Sequence, residues 1–177
     1  PKGSKIPTPH LDKLASQGMS FTDAHSGSSV CTPTRYGVLT GRYSWRSQLQ
    51  QGVYPDNRPP LIVDGRLTVA GLLKQHGYHT ACIGKWHLGF SLEGVPQGKL
   101  TQNGAPLGSV TKDGPLTRGF DEFFGFDRLT DAPTSMFEGD RCTQLIKPVD
   151  LLGEFVKRAD SIITTRAKTG QPFFLYL

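Results

Sequence analysis

Three segments of the chain carry apolar residues at the three- and four-residue spacing that is typical of an amphipathic helix. They lie at 9–17, 69–76 and 149–168. The first two follow Thr8 and Thr68, whose hydroxyls can accept hydrogen bonds from the free N–H groups of a first helical turn. Glycine follows all three segments, as is common where a helix ends in the left-handed conformation. The pattern therefore predicts three helices.

Short apolar runs next to these helices predict strands. Residues 19–21 alternate apolar and polar side chains, 78–83 follow the second helix, and 173–177 are apolar on both faces. A run without polar alternation is typical of a strand that is fully buried in a parallel sheet. A strand and a helix, followed by a helix that leads into another strand, favour βαβ units. We therefore predict an α/β fold with a largely parallel sheet.

Two long segments between these elements show no periodicity. Residues 43–66 combine aromatic, proline and basic residues, and residues 90–116 are rich in glycine and proline. We expect both to form irregular loops, and the first either carries substrate contacts or is a plain surface connection. Residues 118–126 contain four phenylalanines, which we expect to pack in the core.

Composition narrows the functional classes. The chain has 177 residues, 36% of them apolar, and a formal net charge of +5, which suits a folded core and an anionic ligand. Its basic residues are scattered, which argues against nucleic-acid binding. No apolar run is long enough for a signal peptide or a membrane span, and we expect no membrane partner. Three widely spaced cysteines make neither a disulfide framework nor a zinc site, and we expect Cys82 to be a buried thiol and Cys142 a loop thiol.

A reactive residue and a helix start coincide at Cys31. Thr32 can cap a helix, and Pro33 suits the first helical position because its missing N–H would be unpaired there anyway. Cys31 would then lie just before the helix, where free N–H groups and the helix dipole favour negative charge. Arg35 lies about one turn further along the same helix. These residues predict an anion site at Cys31.

Lys85 and His87 directly follow the predicted strand at 78–83. Ligands of parallel α/β folds bind beyond the carboxyl ends of the strands, so these side chains are placed to meet Cys31. Trp86, which separates them, is expected to pack rather than to contact a ligand.

Several motifs, in order along the chain, are similar to those of one enzyme family. Cys-Thr-Pro-Thr-Arg at 31–35 continues into Leu-Thr-Gly-Arg at 39–42, and Gly-Lys-Trp-His-Leu-Gly follows at 84–89. Residues 6–24 and 119–125 extend the likeness. The chain resembles the type I sulfatases, the arylsulfatase-like branch of the alkaline phosphatase superfamily. The resemblance implies a mostly parallel sheet sandwiched by helices, and it implies that 1–177 are part of one catalytic domain, cut at both ends and without a separate second domain.

The resemblance also implies a chemistry. Sulfatases of this type convert the signature cysteine, here Cys31, to formylglycine, which makes a formylglycine-generating enzyme the maturation partner. One hydroxyl of the hydrated aldehyde attacks sulfur, and the second allows sulfate to leave. Arg35 would hold the hydrated aldehyde, Lys85 would bind a sulfate oxygen, and His87 would take the proton of the second hydroxyl. Lys85 and His87 are thus the expected substrate-binding residues as well.

The family places a divalent metal, usually calcium, against the formylglycine and the sulfate. Of the expected ligands, this chain contains only the residue derived from Cys31. The resemblance places the paired aspartates before residue 1 and the remaining ligands after residue 177. We therefore expect the isolated chain to bind calcium poorly and to be inactive, whereas the complete protein is expected to be an enzyme.

The implied function is that of a sulfuric ester hydrolase acting on aryl or carbohydrate sulfates. Two alternatives stay open: a phosphonate or phosphate monoester hydrolase of the same superfamily, and a non-catalytic fragment that keeps the fold. The implied partner is a sulfated small molecule or glycan. The implied location of the complete protein is the periplasm, the lysosome or the outside of the cell.

Overall fold

Along the described parts of the chain, three helices precede four strands, and a fourth helix and a fifth strand follow. The computed structural model describes residues 5–55, 57–96, 104–128 and 133–177. The helices within these ranges are α1 (Pro9–Gln17), α2 (Cys31–Thr40), α3 (Val69–Gln75) and α4 (Leu151–Thr169), with 3-10 turns at Ser44–Arg46, Leu116–Arg118 and Pro148–Asp150. The strands are β1 (His79–Lys85), β2 (Glu122–Phe126), β3 (Thr134–Glu138), β4 (Arg141–Ile146) and β5 (Phe173–Tyr176).

The five strands form one sheet in the order β4-β3-β2-β1-β5. β1 is parallel to both of its neighbours, β2 and β5. β3 is antiparallel to β2, and β4 is antiparallel to β3. Four of these strands therefore point the same way, and β3 runs in the opposite direction. The predicted α/β fold with a largely parallel sheet is confirmed.

Helices cover both faces of this sheet. On one face, Tyr36 and Leu39 of α2 and Ala70 of α3 join a core that includes Cys82. On the other face, α4 packs against a second core that includes Ala81 and Ile83, and the alternation of adjacent β1 residues between the two cores follows from the two-residue period of a strand. The arrangement with helices on either side of the sheet, expected from the resemblance, is also confirmed. Within the described residues, no helix has the length and apolar character needed to cross a membrane.

Local signals account for the helix ends. The Thr68 hydroxyl accepts the N–H of Gly71 at 2.9 Å and caps α3, as expected. Gly41 and Gly170 follow α2 and α4 in the left-handed conformation, with φ of 67° and 69°. α1 begins at Pro9 as predicted, yet none of its residues is buried. Its amphipathic pattern thus marked a helix whose apolar residues are exposed in this structure.

Two strand predictions need correction. Residues 19–21 form no strand; Met19 and Phe21 are 78% and 76% exposed, and no sheet edge among the described residues pairs with them. β5 was expected to be fully buried, but its four side chains are half-buried. The reason is its position, because β5 pairs with β1 on one side and lies at the edge of the described sheet.

The antiparallel hairpin of β3 and β4 was not predicted, and it changes the place of Cys142. This cysteine lies within β4 and is 1% exposed, so the expectation of a loop thiol is wrong. Cys82 is fully buried in β1, as expected, and burial raises the pKa of its thiol. The segments expected to be irregular contain no α-helix or named strand where they are described; residue 56 and residues 97–103 lie outside the described residues.

Candidate active site

Cys31 lies in the first turn of α2. Cys31 is the first helical residue, follows the extended residue Val30, and carries a partly exposed free thiol. The helix therefore starts earlier than predicted, and Thr32 is its second residue rather than its cap. The N–H groups of a first turn have no carbonyl partner within the helix, and they face an anion favourably.

The loop after β1 is held in place by the core. Trp86 is fully buried. Its backbone N–H donates to the Phe126 carbonyl of β2 at 2.7 Å, and its ring N–H donates to the Gly89 carbonyl at 3.0 Å. Gly89 allows close packing here, since a Cβ atom at this residue would lie 2.7 Å from the Tyr54 ring. Trp86 packs as expected, and its packing fixes the direction of the neighbouring Lys85 and His87.

His87 meets Cys31 across 56 residues of sequence. Its Nδ1 lies 3.1 Å from the Cys31 Sγ, and its Nε2 lies 3.1 Å from the Tyr54 carbonyl oxygen. A carbonyl can only accept, so Nε2 carries the proton and donates to Tyr54. Nδ1 is then left with a lone pair that points at residue 31.

The environment keeps this imidazole neutral. His87 is 2% exposed, and its pKa is lowered from 6.5 to about 4, with burial as the largest cause. The Lys85 ammonium group contributes to this lowering, whereas the hydrogen bond to the Tyr54 carbonyl opposes it. Near neutral pH the ring can therefore accept a proton at Nδ1.

Arg35 joins α2 to the ends of two strands. Its Nη1 donates to the Lys85 carbonyl oxygen at 2.5 Å and to the Tyr176 hydroxyl oxygen at 3.3 Å. Its Nε is buried and has no hydrogen-bond partner among the described residues. Burial raises the pKa of the Tyr176 phenol, and Arg35 opposes this shift. The guanidinium is thus anchored through Nη1, and its Nε–H is left as an unused donor.

The structure accordingly brings all four candidate residues to one end of the sheet. Cys31 and His87 are in direct contact, Arg35 touches the backbone of Lys85, and the half-buried Lys85 side chain acts on His87 through its charge. Three further residues that contact this group were not predicted. Tyr54 lies in an aperiodic loop and Tyr176 in an apolar strand, so neither position carries a sequence signal for a functional contact. The sequence around Thr32 does carry a signal, but that signal predicts a helix cap.

These residues do not by themselves fit a calcium site. In the described part of the chain, no group of three or more His, Cys, Asp or Glu side chains lies close enough to hold a metal ion. The charged side chains that shift the pKa of His87 are the cations Lys85, Arg128 and Arg35. Calcium prefers several carboxylate and carbonyl oxygens, which the described residues around Cys31 do not assemble.

Comparisons with known proteins agree on one family. A family model described as Sulfatase matches residues 2–177. The chain is 42% identical over 107 residues to the N-acetylgalactosamine-6-O-sulfatase of Bacteroides thetaiotaomicron, an alignment that covers 59% of this chain and 21% of that protein. It is 33% identical over 188 residues to arylsulfatase G of Mus musculus, covering 96% of this chain and 35% of that protein.

A solved structure shares the fold. It comes from work on the metabolism of multiple glycosaminoglycans by Bacteroides thetaiotaomicron, and it superposes with a TM-score of 0.69 at 28% identity, covering 96% of this chain and 45% of that one. This chain spans 21% and 35% of the length of the two curated relatives above.

Proposed function

This chain belongs to the sulfatase family, and we propose from that membership and from the site that its complete protein is a sulfuric ester hydrolase of aryl or carbohydrate sulfates. Residues 1–177 would be part of its single catalytic domain, the part that bears the nucleophile. The observation that carries the proposal is the 3.1 Å contact between Cys31 Sγ and the unprotonated Nδ1 of His87 at a helix start. This contact pairs a proton acceptor with the residue that bears the reactive group.

Cys31 is the residue that would become formylglycine, through a formylglycine-generating enzyme. Its thiol in the structure stands for the substituents of the hydrated aldehyde on the same Cβ. That group supplies two hydroxyls on one carbon, one for attack on sulfur and one whose proton is removed when sulfate leaves. The partly exposed position of Cys31 suits a residue that must be reached by a modifying enzyme and by substrate.

His87 would take the proton of the second hydroxyl. Its Nδ1 already faces the substituent of residue 31 at hydrogen-bond distance. The Nε2 proton is occupied by the Tyr54 carbonyl, which leaves Nδ1 as the acceptor. Because burial and Lys85 lower the pKa to about 4, the ring is in the accepting form at neutral pH.

Lys85 and Arg35 would offset negative charge at the reacting centre. Lys85 ends β1 beside His87, and its ammonium group can bind a sulfate oxygen as charge builds during transfer. Arg35 is held by the Lys85 carbonyl and the Tyr176 hydroxyl, and its buried Nε–H can donate to the hydrated aldehyde. The N-terminus of α2, which begins at Cys31, adds partial positive charge at this residue.

The proposals for calcium and for the location of the protein rest on the family alone. We propose that a calcium ion is bound mainly by ligands other than the residues described here, because Cys31 is the one described residue that the family would place on it. One curated relative is named a sulfatase of N-acetylgalactosamine 6-O-sulfate, which favours a sulfated glycan as substrate here. A periplasmic, secreted or lysosomal location fits such a substrate.

The test is to express the complete gene with a formylglycine-generating enzyme and to measure the mass of the tryptic peptide that carries Cys31 by mass spectrometry. We expect the mass loss of thiol-to-aldehyde conversion, and hydrolysis of a chromogenic aryl sulfate that Cys31→Ala abolishes. Cys142→Ala, which removes a thiol on β4, is the matched control and should keep conversion and turnover. An unmodified thiol with no sulfate hydrolysis would refute the proposal, and hydrolysis of phosphate esters instead would support the related monoester hydrolase.

A further inference from the structure

His87 has an unusual backbone conformation. Its φ is 51°, in the left-handed region that only a few per cent of residues other than glycine adopt. Such a conformation persists where surrounding contacts hold it. In His87 these contacts act at both ends of the residue: the backbone carbonyl accepts the Thr32 hydroxyl at 3.0 Å, and the ring donates to the Tyr54 carbonyl at 3.1 Å.

The Thr32 hydroxyl closes these contacts into a ring of hydrogen bonds between Thr32, Tyr54 and His87. It is fully buried, donates to the His87 carbonyl, and accepts the Tyr54 N–H at 3.2 Å. Tyr54 therefore binds Thr32 through its N–H and His87 through its carbonyl. Three segments that are distant in sequence meet in this ring, and Thr32 is the residue next to Cys31 in α2.

We propose that Thr32 is a positioning residue that aims the Nδ1 of His87 at residue 31. The hydroxyl ties the backbone of the proton acceptor to the helix turn that bears the reactive group, so that the two move as one unit. This assignment rests on the proposed function, in which His87 accepts a proton from residue 31. The role is more than packing. A methyl group in place of the hydroxyl would fill the same space, but it could neither donate to the His87 carbonyl nor accept the Tyr54 N–H.

The test uses the complete gene product with Thr32→Val, which keeps the shape and removes the hydroxyl, and Thr32→Ser, which keeps the hydroxyl. Thr40→Val is the matched control, because the Thr40 hydroxyl donates only to the Tyr36 carbonyl within α2. For each variant we would measure thermal unfolding, the converted fraction of Cys31, and kcat and KM for a chromogenic aryl sulfate. Crystal structures of the unconverted wild type and Thr32→Val would give the distance from Nδ1 to Sγ.

We expect Thr32→Val to convert Cys31 normally, to lower kcat by about tenfold or more, and to leave KM within about twofold, because a small misplacement of a reacting group lowers turnover strongly. In its crystal structure, Nδ1 and Sγ should separate beyond about 3.5 Å, where a hydrogen bond is lost. Thr32→Ser should restore both values, and Thr40→Val should change neither.

Unchanged kcat and an unchanged contact in Thr32→Val would overturn the assignment. If Thr32→Val does not fold, Thr32→Ala removes the hydroxyl without adding a methyl group beside the carbonyl, and it carries the same expectations. If the wild type itself shows neither conversion nor turnover, the proposed function fails, and the distance from Nδ1 to Sγ still decides whether Thr32 positions the ring.

Discussion

His87 should make the folded protein sensitive to mild acid. Burial, followed by the charge of Lys85, lowers its pKa from 6.5 to about 4. Between these values the unfolded chain binds a proton at this residue and the folded chain does not. Stability is therefore unaffected by His87 above pH 6.5, and it falls as the pH decreases from 6.5 towards 4. At about 1.4 kcal/mol for each pKa unit, the full loss is about 3 kcal/mol.

The assay is urea unfolding of the unconverted thiol form at about pH 7.5 and about pH 4.5, for wild type and His87→Asn. Asparagine tolerates the left-handed backbone and does not titrate. The wild type should lose about 2–3 kcal/mol more than the variant between the two pH values. Burial raises the pKa of Asp121, but bonds from Lys74 and Thr80 outweigh it and hold the pKa below 3.8. The stability that this carboxylate contributes is lost mainly below pH 3.8, and it is the same in both proteins. A difference between the two proteins that stays constant with pH would show that His87 is not held neutral.

Three further substitutions test the close packing of β2, the helix propensity of α4 and the contact between Tyr176 and Arg35. Gly125→Ala should destabilise the protein by about 3 kcal/mol, because the new Cβ would overlap the Gly84 carbonyl oxygen of the adjacent strand. Gly153→Ala should instead stabilise α4 by up to about 1 kcal/mol, because no atom lies within 4 Å of its new Cβ. Equal urea midpoints for the two variants would contradict this reasoning. Tyr176→Phe keeps the ring and removes the oxygen that receives the Arg35 Nη1, so kcat for an aryl sulfate should fall severalfold at unchanged thermal stability, and an unchanged kcat would exclude a role for this bond.

Local chemistry explains why much of the secondary structure could be predicted. Helices α1, α3 and α4 were found because caps, apolar spacing and terminal glycines act within a few residues of one another. β1 and the buried phenylalanines of β2 were found because their apolar character persists wherever they pack. Residues 19–21 show the limit, since alternation alone cannot form a strand without a neighbouring strand to bond with.

The motifs at Cys31 and at 84–89 were sufficient to nominate Cys31, Arg35, Lys85 and His87 from the sequence. Their residue types and order follow from covalent neighbourhood, and so does the family to which the chain belongs. The start of α2 was misplaced because the Thr32 hydroxyl could serve a helix cap equally well by local rules. In the structure, this hydroxyl instead donates to the distant His87 carbonyl and accepts the Tyr54 N–H.

Only the tertiary structure decided how the site is arranged. The pairing of β1 with β2 and β5, the hairpin of β3 and β4, and the 3.1 Å approach of His87 to Cys31 all join residues far apart in the chain. The same holds for the proton on Nε2, the pKa of about 4, and the ring formed by Thr32, Tyr54 and His87. These properties depend on burial and on partners that packing brings together, whereas caps and periodicity depend on neighbours along the chain. For that reason the sequence by itself nominated the candidate site residues, and the tertiary structure decided their geometry.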